Sequence, residues 1–296
     1  MTLYDLASQA DLMALGGRVG QQISALQAAL AALQPAPPPA PVLPPGRWLH
    51  EPPGFTPLLN QPWVTGIPPM SGGFPGNHAL VSDQPGALVS PPTALDVIFP
   101  QGLAGGNEEF GKYWYLIPSA RVAKAIFIGF TFKYSPTWQG HSSGVNKLLW
   151  VSAHGWGKND FWIEASGSGS GPMGLQVVTE FAGIFAQQYA PNVTAYFATP
   201  VAGETAVTVS RGAWHTCEAY LELPAVSGAP GIVRIWIDGV LGLNRDATTA
   251  PGSQVLMTYS GNGWAEVDVD PIWGGVGDVK AQRDDLWYDH LYISGP

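Results

Sequence analysis

The chain has 296 residues, of which 37 are glycine, 28 are proline and 12 are tryptophan. Charged residues make up 12% and hydrophobic residues 46%, a balance that excludes an intrinsically disordered chain, which needs low hydrophobicity and high net charge. Glycine and proline disfavour a helix-rich fold, because they cost about 1 and 3 kcal/mol each in a helix interior. The composition predicts an aromatic, turn-rich β protein with room for one large domain and an appendage.

The formal net charge is −9, and no run of lysine and arginine provides the basic surface that nucleic-acid binding requires. A single cysteine, Cys217, excludes an internal disulfide framework, and the six histidines lack the spacing of zinc ligands. No apolar run has the roughly 18 residues that span a bilayer, so no membrane partner is expected. The first residues lack the basic and apolar regions of a signal peptide, which predicts synthesis in the cytoplasm.

Residues 1–34 are predicted to form a helix. Apolar residues recur at heptad spacing from Val19 through Ile23 and Leu26, over about two heptads. This pattern indicates a short coiled coil or a docking helix, and the alternative is a helix that packs on its own domain. Residues 35–46 are rich in proline, which predicts an extended polyproline spacer.

Residues 47–296 are predicted to form one all-β domain. Short segments of alternating apolar and polar residues recur between turns rich in glycine, serine, proline and asparagine. Ala125–Tyr134, Trp214–Leu223 and Ile232–Asp238 are three of about ten such strand candidates. We therefore expect an antiparallel two-sheet jelly-roll sandwich, preceded by the short N-terminal helix and the proline-rich linker.

Alternation along three predicted strands places aromatic and charged residues together on the side that faces away from the core. Sugars bind to such a mixture, because flat rings contact their C–H faces and fixed polar groups bind their hydroxyls. The alternative is that both sides of a curved sheet are partly buried and that these aromatics only pack. The predicted ligand-binding residues are Trp162, Glu164, Glu218, Tyr220, Arg234 and Trp236.

Glu266, Asp268 and Asp270 alternate along one predicted strand and share one face of it. Crowded carboxylates shift each other's pKa values apart, as the acid and base of glycan hydrolysis require. The stretch resembles the Glu-x-Asp-x-Glu signature of jelly-roll glucanases, with aspartate in the third position. The three residues are candidates for catalysis or for a calcium site, and the alternative is a solvated strand face. No other metal or cofactor is predicted.

Several segments of the β region resemble the concanavalin A-like lectin and glucanase jelly rolls, in the branch that contains heparin- and alginate-lyase folds. The segments are 51–57, 129–147, 212–220, 233–239, 273–275 and 284–294. The resemblance implies a jelly roll that binds glycans, and similar sequences occur in bacteriophage and bacterial proteins. The Arg-x-Glu-Leu-Arg, Gln-x-His and Tyr-Phe-Lys-Ala-Gly strands of the lyase branch are absent, which argues against lyase chemistry. In a divergent enzyme, the residues to test are His141, Asn146 and Lys147.

Together these features predict a bacteriophage virion surface protein, either a head decoration or fibre or a tail fibre. Its first 34 residues are expected to dock on other virion proteins or to form a homo-oligomer, with a trimer favoured. The spacer then displays a non-enzymatic glycan-binding domain. One alternative is a polysaccharide lyase or glycoside hydrolase, and another is a purely structural capsid cement protein.

Overall fold

A computed structural model shows that the chain divides into two compact units, Met1–Ala40 and Pro41–Pro296. In the first unit, the described residues are helical, as predicted, and the side chains of Val19, Ile23 and Leu26 are exposed. The predicted spacer lies outside the described residues, and no described helix has the length and hydropathy of a membrane span. The structure describes residues 19, 21–23, 25–26, 48–61, 78–82, 93–106, 113–153, 160–180, 194–196, 204–226, 229, 231–246, 248 and 262–296.

The second unit is built from antiparallel β-strands, with one 3₁₀ turn at Ser119–Arg121. Alternating side chains and glycine-rich turns produce this strand content, as the sequence predicts. The described strands are β1 (Thr56–Gln61), β2 (His78–Ser82), β3 (Thr93–Phe99), β4 (Tyr113–Leu116), β5 (Ala125–Tyr134), β6 (Val145–Ser152), β7 (Asp160–Ser166), β8 (Met173–Glu180), β9 (Thr194–Tyr196), β10 (Thr208–Val209), β11 (His215–Glu222), β12 (Ile232–Ile237), β13 (Val240–Arg245), β14 (Glu266–Val269) and β15 (Asp284–Gly295).

The strands form two sheets. The first sheet has the order β13-β12-β11-β5-β15-β3-β2, with β1 paired to β15, and the second has the order β10-β8-β7-β6-β14-β4, with β9 paired to β8. All described strand pairs are antiparallel. The predicted all-β two-sheet jelly-roll sandwich is therefore confirmed.

The core follows from the period-two alternation. In β12, Val233, Ile235 and Ile237 are buried, while Arg234 and Trp236 between them are only half-buried. Each strand thus turns its apolar side toward the other sheet. Asp238 ends this strand in a left-handed conformation with a φ of 52°, and an Asp-Gly pair suits the tight hairpin turn that follows.

A second, smaller cluster covers part of the outer side of the first sheet. Trp48, Phe127 and Tyr292 are buried there, and Phe55 and Tyr220 pack against them. The close approach requires Gly129, because a Cβ at this position would lie 2.3 Å from the Trp48 ring. The segment before β1 therefore packs on the outer side of the first sheet.

Candidate functional site

One side of the second sheet brings together aromatic and charged residues from adjacent strands. Lys147 on β6 pairs in register with Glu164 on β7, which pairs with Gln176 on β8. A β-bulge between Lys147 and Leu149 then allows Trp150 to pair with Trp162. We call this side the second-sheet face, defined by Lys147, Trp150, Trp162, Glu164, Gln176 and Asp268.

Two indoles and a lysine form the centre of the second-sheet face. The ring centroids of Trp150 and Trp162 are 4.4 Å apart with an interplanar angle of 37°. The Nζ atom of Lys147 lies 4.8 Å from the Trp150 centroid and 5.1 Å from that of Trp162, within cation–π range. Trp150 donates its indole N–H to the Asp270 carbonyl at 3.2 Å. Both rings are therefore held in fixed positions beside the ammonium group.

The Glu164 carboxyl lies beside this aromatic pair and has no solvent-exposed surface. It accepts a hydrogen bond from the Trp162 indole N–H at 2.9 Å and another from the Gln176 side-chain amide. Burial raises the pKa of Glu164 to about 7, although the Trp162 hydrogen bond and the Lys147 charge both lower it. A carboxyl group with this pKa can give and take a proton near neutral pH.

The three carboxylates at 266–270 do not form a solvated strand face. Glu266, Asp268 and Asp270 are only 7%, 2% and 1% exposed. Asp268 lies between Trp150 of β6 and Trp114 of β4 in the sheet register, so it belongs to the second-sheet face. The interpretation as a solvated face is wrong, because all three side chains are almost fully shielded from solvent. Among the described residues, no group of three histidine, cysteine or acidic residues is placed to hold a metal ion.

Of the three residues suggested by the lyase-like resemblance, only Lys147 lies on the second-sheet face. Asn146 points to the other side, where its amide oxygen accepts from the Trp138 indole at 3.2 Å and its nitrogen donates to the Ala165 carbonyl at 3.0 Å. His141 packs edge-on against Trp273, with centroids 4.8 Å apart. Asn146 and His141 therefore hold loops together at a different position in the fold.

The six predicted ligand-binding residues do not share one surface. Trp162 and Glu164 belong to the second sheet, whereas the other four belong to β11 and β12 of the first sheet. The expectation of a single aromatic and acidic face is wrong. Alternation shows which residues of a strand lie on the same side of a sheet, but it does not show which of the two sheets the strand joins. The four first-sheet residues are Glu218, Tyr220, Arg234 and Trp236.

Two of these four residues are engaged by the segment before β1. Glu218 accepts from the backbone N–H of His50 at 2.7 Å, and its other oxygen lies 2.8 Å from the His50 Nδ1. The His50 ring stacks on Trp236, with centroids 4.4 Å apart and an interplanar angle of 5°. Glu218 and Trp236 therefore lie under this segment, and of the two alternatives, a ligand surface or packing, their contacts with His50 match packing.

The other two residues lie at the edge of an open cleft. Tyr220 donates its hydroxyl to Glu222, and Arg234 donates to Asp246 at 3.4 Å. The cleft has a volume of about 270 Å³ and is lined by Glu222, Asp246 and Thr248, together with residues of the β11–β12 connection. Glu222 and Asp246 were not predicted, because only the pairing of β11, β12 and β13 brings them together.

No family model matches the chain, and no curated protein matches it. Similar solved structures include the marine PL-14 alginate lyase from Aplysia kurodai, 14% identical over 81% of this chain and 100% of that one, with a TM-score of 0.49. An endo-β-1,4-glucuronan lyase from Trichoderma reesei is 16% identical over 77% and 94% of the two chains, with a TM-score of 0.45. The laminarinase catalytic domain from Thermotoga maritima is 10% identical over 82% and 98%, with a TM-score of 0.46.

Proposed function

We propose that the β domain is polysaccharide-active and that it binds a glycan chain on the second-sheet face. The observation that carries this proposal is the placement of Lys147, two fixed indoles and the Glu164 carboxyl on adjacent strands. Indole rings contact the C–H faces of sugars, and lysine and carboxyl groups bind their hydroxyls. The face therefore supplies both kinds of contact that glycan recognition needs.

Cleavage of the bound chain is a second candidate function, and the Glu164 carboxyl favours it. Its pKa of about 7 suits a general acid or base at neutral pH. Lys147 pairs with Glu164 in the strand register and provides a positive charge beside it. A carboxyl group with this pKa can abstract a proton, as a lyase requires, or protonate a leaving oxygen, as a hydrolase requires. Without cleavage, the same face serves a non-enzymatic glycan-binding domain.

Both functions are tested by incubating the full-length protein with a panel of neutral and acidic polysaccharides. Calorimetry measures binding, and unsaturated products and reducing ends measure cleavage. We expect Lys147→Met to weaken binding about tenfold and Glu164→Gln to abolish cleavage while binding persists. Arg234→Met is the matched control on the first sheet and should change neither.

The possible outcomes separate the two functions. Binding by the wild-type protein without any product rejects cleavage and keeps glycan binding. If no polysaccharide binds, the proposal is wrong. If Arg234→Met rather than Lys147→Met weakens binding, the glycan site lies on the first sheet instead.

We further propose that the N-terminal unit assembles copies of this chain, with a trimer favoured, on a bacteriophage virion. Val19, Ile23 and Leu26 follow one helical stripe and are 45%, 51% and 70% exposed. Residues 19–34 contain no charged side chain, so copies of the helix do not repel one another. Light scattering should give a trimer for the full chain and a monomer for Ile23→Asp. Immunodetection on purified particles tests the virion location, and a monomeric wild-type protein would refute the assembly.

A further inference from the structure

A second row of polar and aromatic side chains crosses the outer side of the first sheet. Trp287 on β15 pairs with Lys133 on β5 and with Asp96 on β3. His215 of β11 pairs with Phe132 of β5 in the antiparallel register. The residue before His215, which is Trp214, therefore lies opposite the residue after Phe132, which is Lys133. We call these four residues, Trp214, Lys133, Trp287 and Asp96, the first-sheet row.

The first-sheet row lies on the outer side because its neighbours along the strands fill the core. Phe132 and Tyr134 flank Lys133, and Leu286 and Tyr288 flank Trp287, and all four belong to the main hydrophobic cluster. Side chains alternate along a strand, so the residues between them face away from the core. The first-sheet row and the second-sheet face therefore lie on different sheets.

Lys133 occupies the centre of the row between two indoles. Its Nζ atom lies 5.0 Å from the Trp287 ring centroid and 5.7 Å from that of Trp214. The lysine is only 6% exposed, and among the described residues no carboxylate pairs with it. Burial lowers its pKa, with no contribution from a neighbouring acid. Its ammonium group is therefore available to an anion from outside the chain.

The indole N–H of Trp214 is buried and has no hydrogen-bond partner among the described residues. Burial raises the pKa of Asp96 to about 7, and the neighbouring Trp287 indole N–H interacts with this carboxyl and lowers the pKa. Roughly 90% or more of buried polar groups in folded proteins are hydrogen-bonded, so an unpartnered indole N–H beside an unpaired lysine is unusual. Trp287 and Asp96 are 9% and 5% exposed, which places both groups largely out of contact with solvent.

The chemistry of these groups defines the ligand they fit. The free donors of the row are the Lys133 ammonium and the Trp214 indole N–H, and an oxyanion is an acceptor for both of them. Trp214 is only half-buried, so its ring also offers an apolar surface. Asp96, at the end of the row, can accept a hydrogen bond from a hydroxyl.

We infer that the first-sheet row is a binding site for an acidic saccharide. The carboxylate or sulfate group of the sugar accepts hydrogen bonds from Lys133 and from the Trp214 indole N–H. A sugar C–H face contacts Trp214, and a hydroxyl donates to Asp96. This site uses none of the residues of the proposed glycan site on the second-sheet face, and neither site depends on the other.

The test follows the tryptophan indole N–H signals of the full-length protein by nitrogen-15 NMR, with signals assigned from single Trp→Phe variants. The probes are trigalacturonate, neutral maltotriose and sodium sulfate. The signals of Trp214 and Trp287 report on the first-sheet row, and those of Trp150 and Trp162 report on the second-sheet face. Failure at one site is thus distinguishable from failure at the other.

We expect trigalacturonate to move the Trp214 and Trp287 signals and maltotriose to leave them unchanged. Lys133→Met should weaken the affinity about tenfold, because it removes a charge-assisted hydrogen bond. The matched control, Lys124→Met, changes a lysine that donates to the Pro224 and Ala225 carbonyls, and should keep the affinity.

Three results would overturn the inference. If no probe moves the two signals, water rather than a ligand is the partner of these groups. If Lys133→Met folds with an unchanged unfolding temperature and binds as tightly as the wild type, the ammonium is not part of a site. If sodium sulfate binds as tightly as trigalacturonate, the sugar ring contributes nothing and the saccharide part of the inference is wrong.

Discussion

Glu164→Gln tests the environment of the second-sheet face through the pH dependence of stability. The pKa of Glu164 rises from its ordinary value of 4.5 to about 7 in the folded protein because the carboxyl is buried. Below the lower value, both the folded and the unfolded chain are protonated at this position. Between pH 4.5 and about 7, the unfolded chain is ionised at this position while the folded chain is still protonated, so the wild-type protein loses free energy of unfolding over this range.

The size of this loss follows from the pKa shift. One pKa unit corresponds to about 1.4 kcal/mol, so ionisation of Glu164 costs about 3 kcal/mol by pH 8. Glutamine cannot ionise, and it keeps an oxygen for the Trp162 indole but loses one hydrogen bond, worth about 1 kcal/mol. Glu164→Gln should therefore be about 1 kcal/mol less stable than the wild type near pH 4 and about 2 kcal/mol more stable near pH 8.

Urea unfolding of both proteins across this pH range measures the difference directly. Effects of all other titrating groups are common to the two proteins and cancel in the comparison. Lys147→Met provides a second arm, because loss of the ammonium raises the pKa of Glu164 further and extends the stability loss to higher pH. A difference between wild type and Glu164→Gln that stays constant with pH would refute the reasoning.

Two matched pairs of substitutions test the loops and the buried charges by urea unfolding. Gly274→Ala should lower the free energy of unfolding by about 3 kcal/mol or more, because the φ of Gly274 is +71° and the new Cβ would lie 1.8 Å from the His141 ring. Gly275→Ala should lower it by less than about 1 kcal/mol, because no atom lies within 4 Å of the new Cβ. Lys280→Met breaks an ion pair with no exposed surface and should cost about 3 to 5 kcal/mol. Arg283→Met removes a pair whose arginine is 59% exposed and should cost below about 1 kcal/mol. Equal costs within either pair would contradict the assigned environments.

The strands could be predicted closely from the sequence because alternation is a local property. The predicted strand Ala125–Tyr134 coincides with β5, and Ile232–Asp238 is one residue longer than β12. The extra residue is Asp238, whose left-handed conformation starts the hairpin turn. Composition and turn residues also indicated two antiparallel sheets, because glycine, proline and short alternating segments disfavour helices along the whole β region.

The candidate site could be predicted only in part, because it depends on which strands become neighbours. Trp162 and Trp236 have the same local pattern, yet β7 and β12 belong to different sheets. The stacking of His50 on Trp236 joins residues far apart in the chain and has no local signal. Lys147 reaches the Trp150 ring through a bulge that alternation alone does not indicate. Long-range strand pairing therefore determines which residues share a site, and the local pattern of alternation does not indicate it.

Among the described residues, three lysines lie against aromatic rings, and their surroundings show that such contacts alone do not identify a site. Lys280 lies 4.2 Å from the Trp138 centroid and 4.7 Å from that of Trp273, as close as Lys147 or Lys133 lie to their rings. Lys280, however, forms an ion pair at 2.7 Å within the protein. Both indoles beside it also donate to protein oxygens, at 3.2 and 2.7 Å. This is how a purely structural lysine is accommodated in the fold.

The indole N–H groups distinguish the two proposed sites from each other. On the second-sheet face, Trp150 and Trp162 both donate within the protein, so a glycan there is bound through ring faces and Lys147. On the first-sheet row, the Trp214 N–H has no partner among the described residues, so it can bind an acceptor from outside the chain. The difference predicts opposite ligand preferences, with ring stacking dominant on one sheet and oxyanion binding dominant on the other. Added salt should therefore weaken binding at the first-sheet row more than at the second-sheet face, because screening acts on the charge contact and leaves apolar stacking in place.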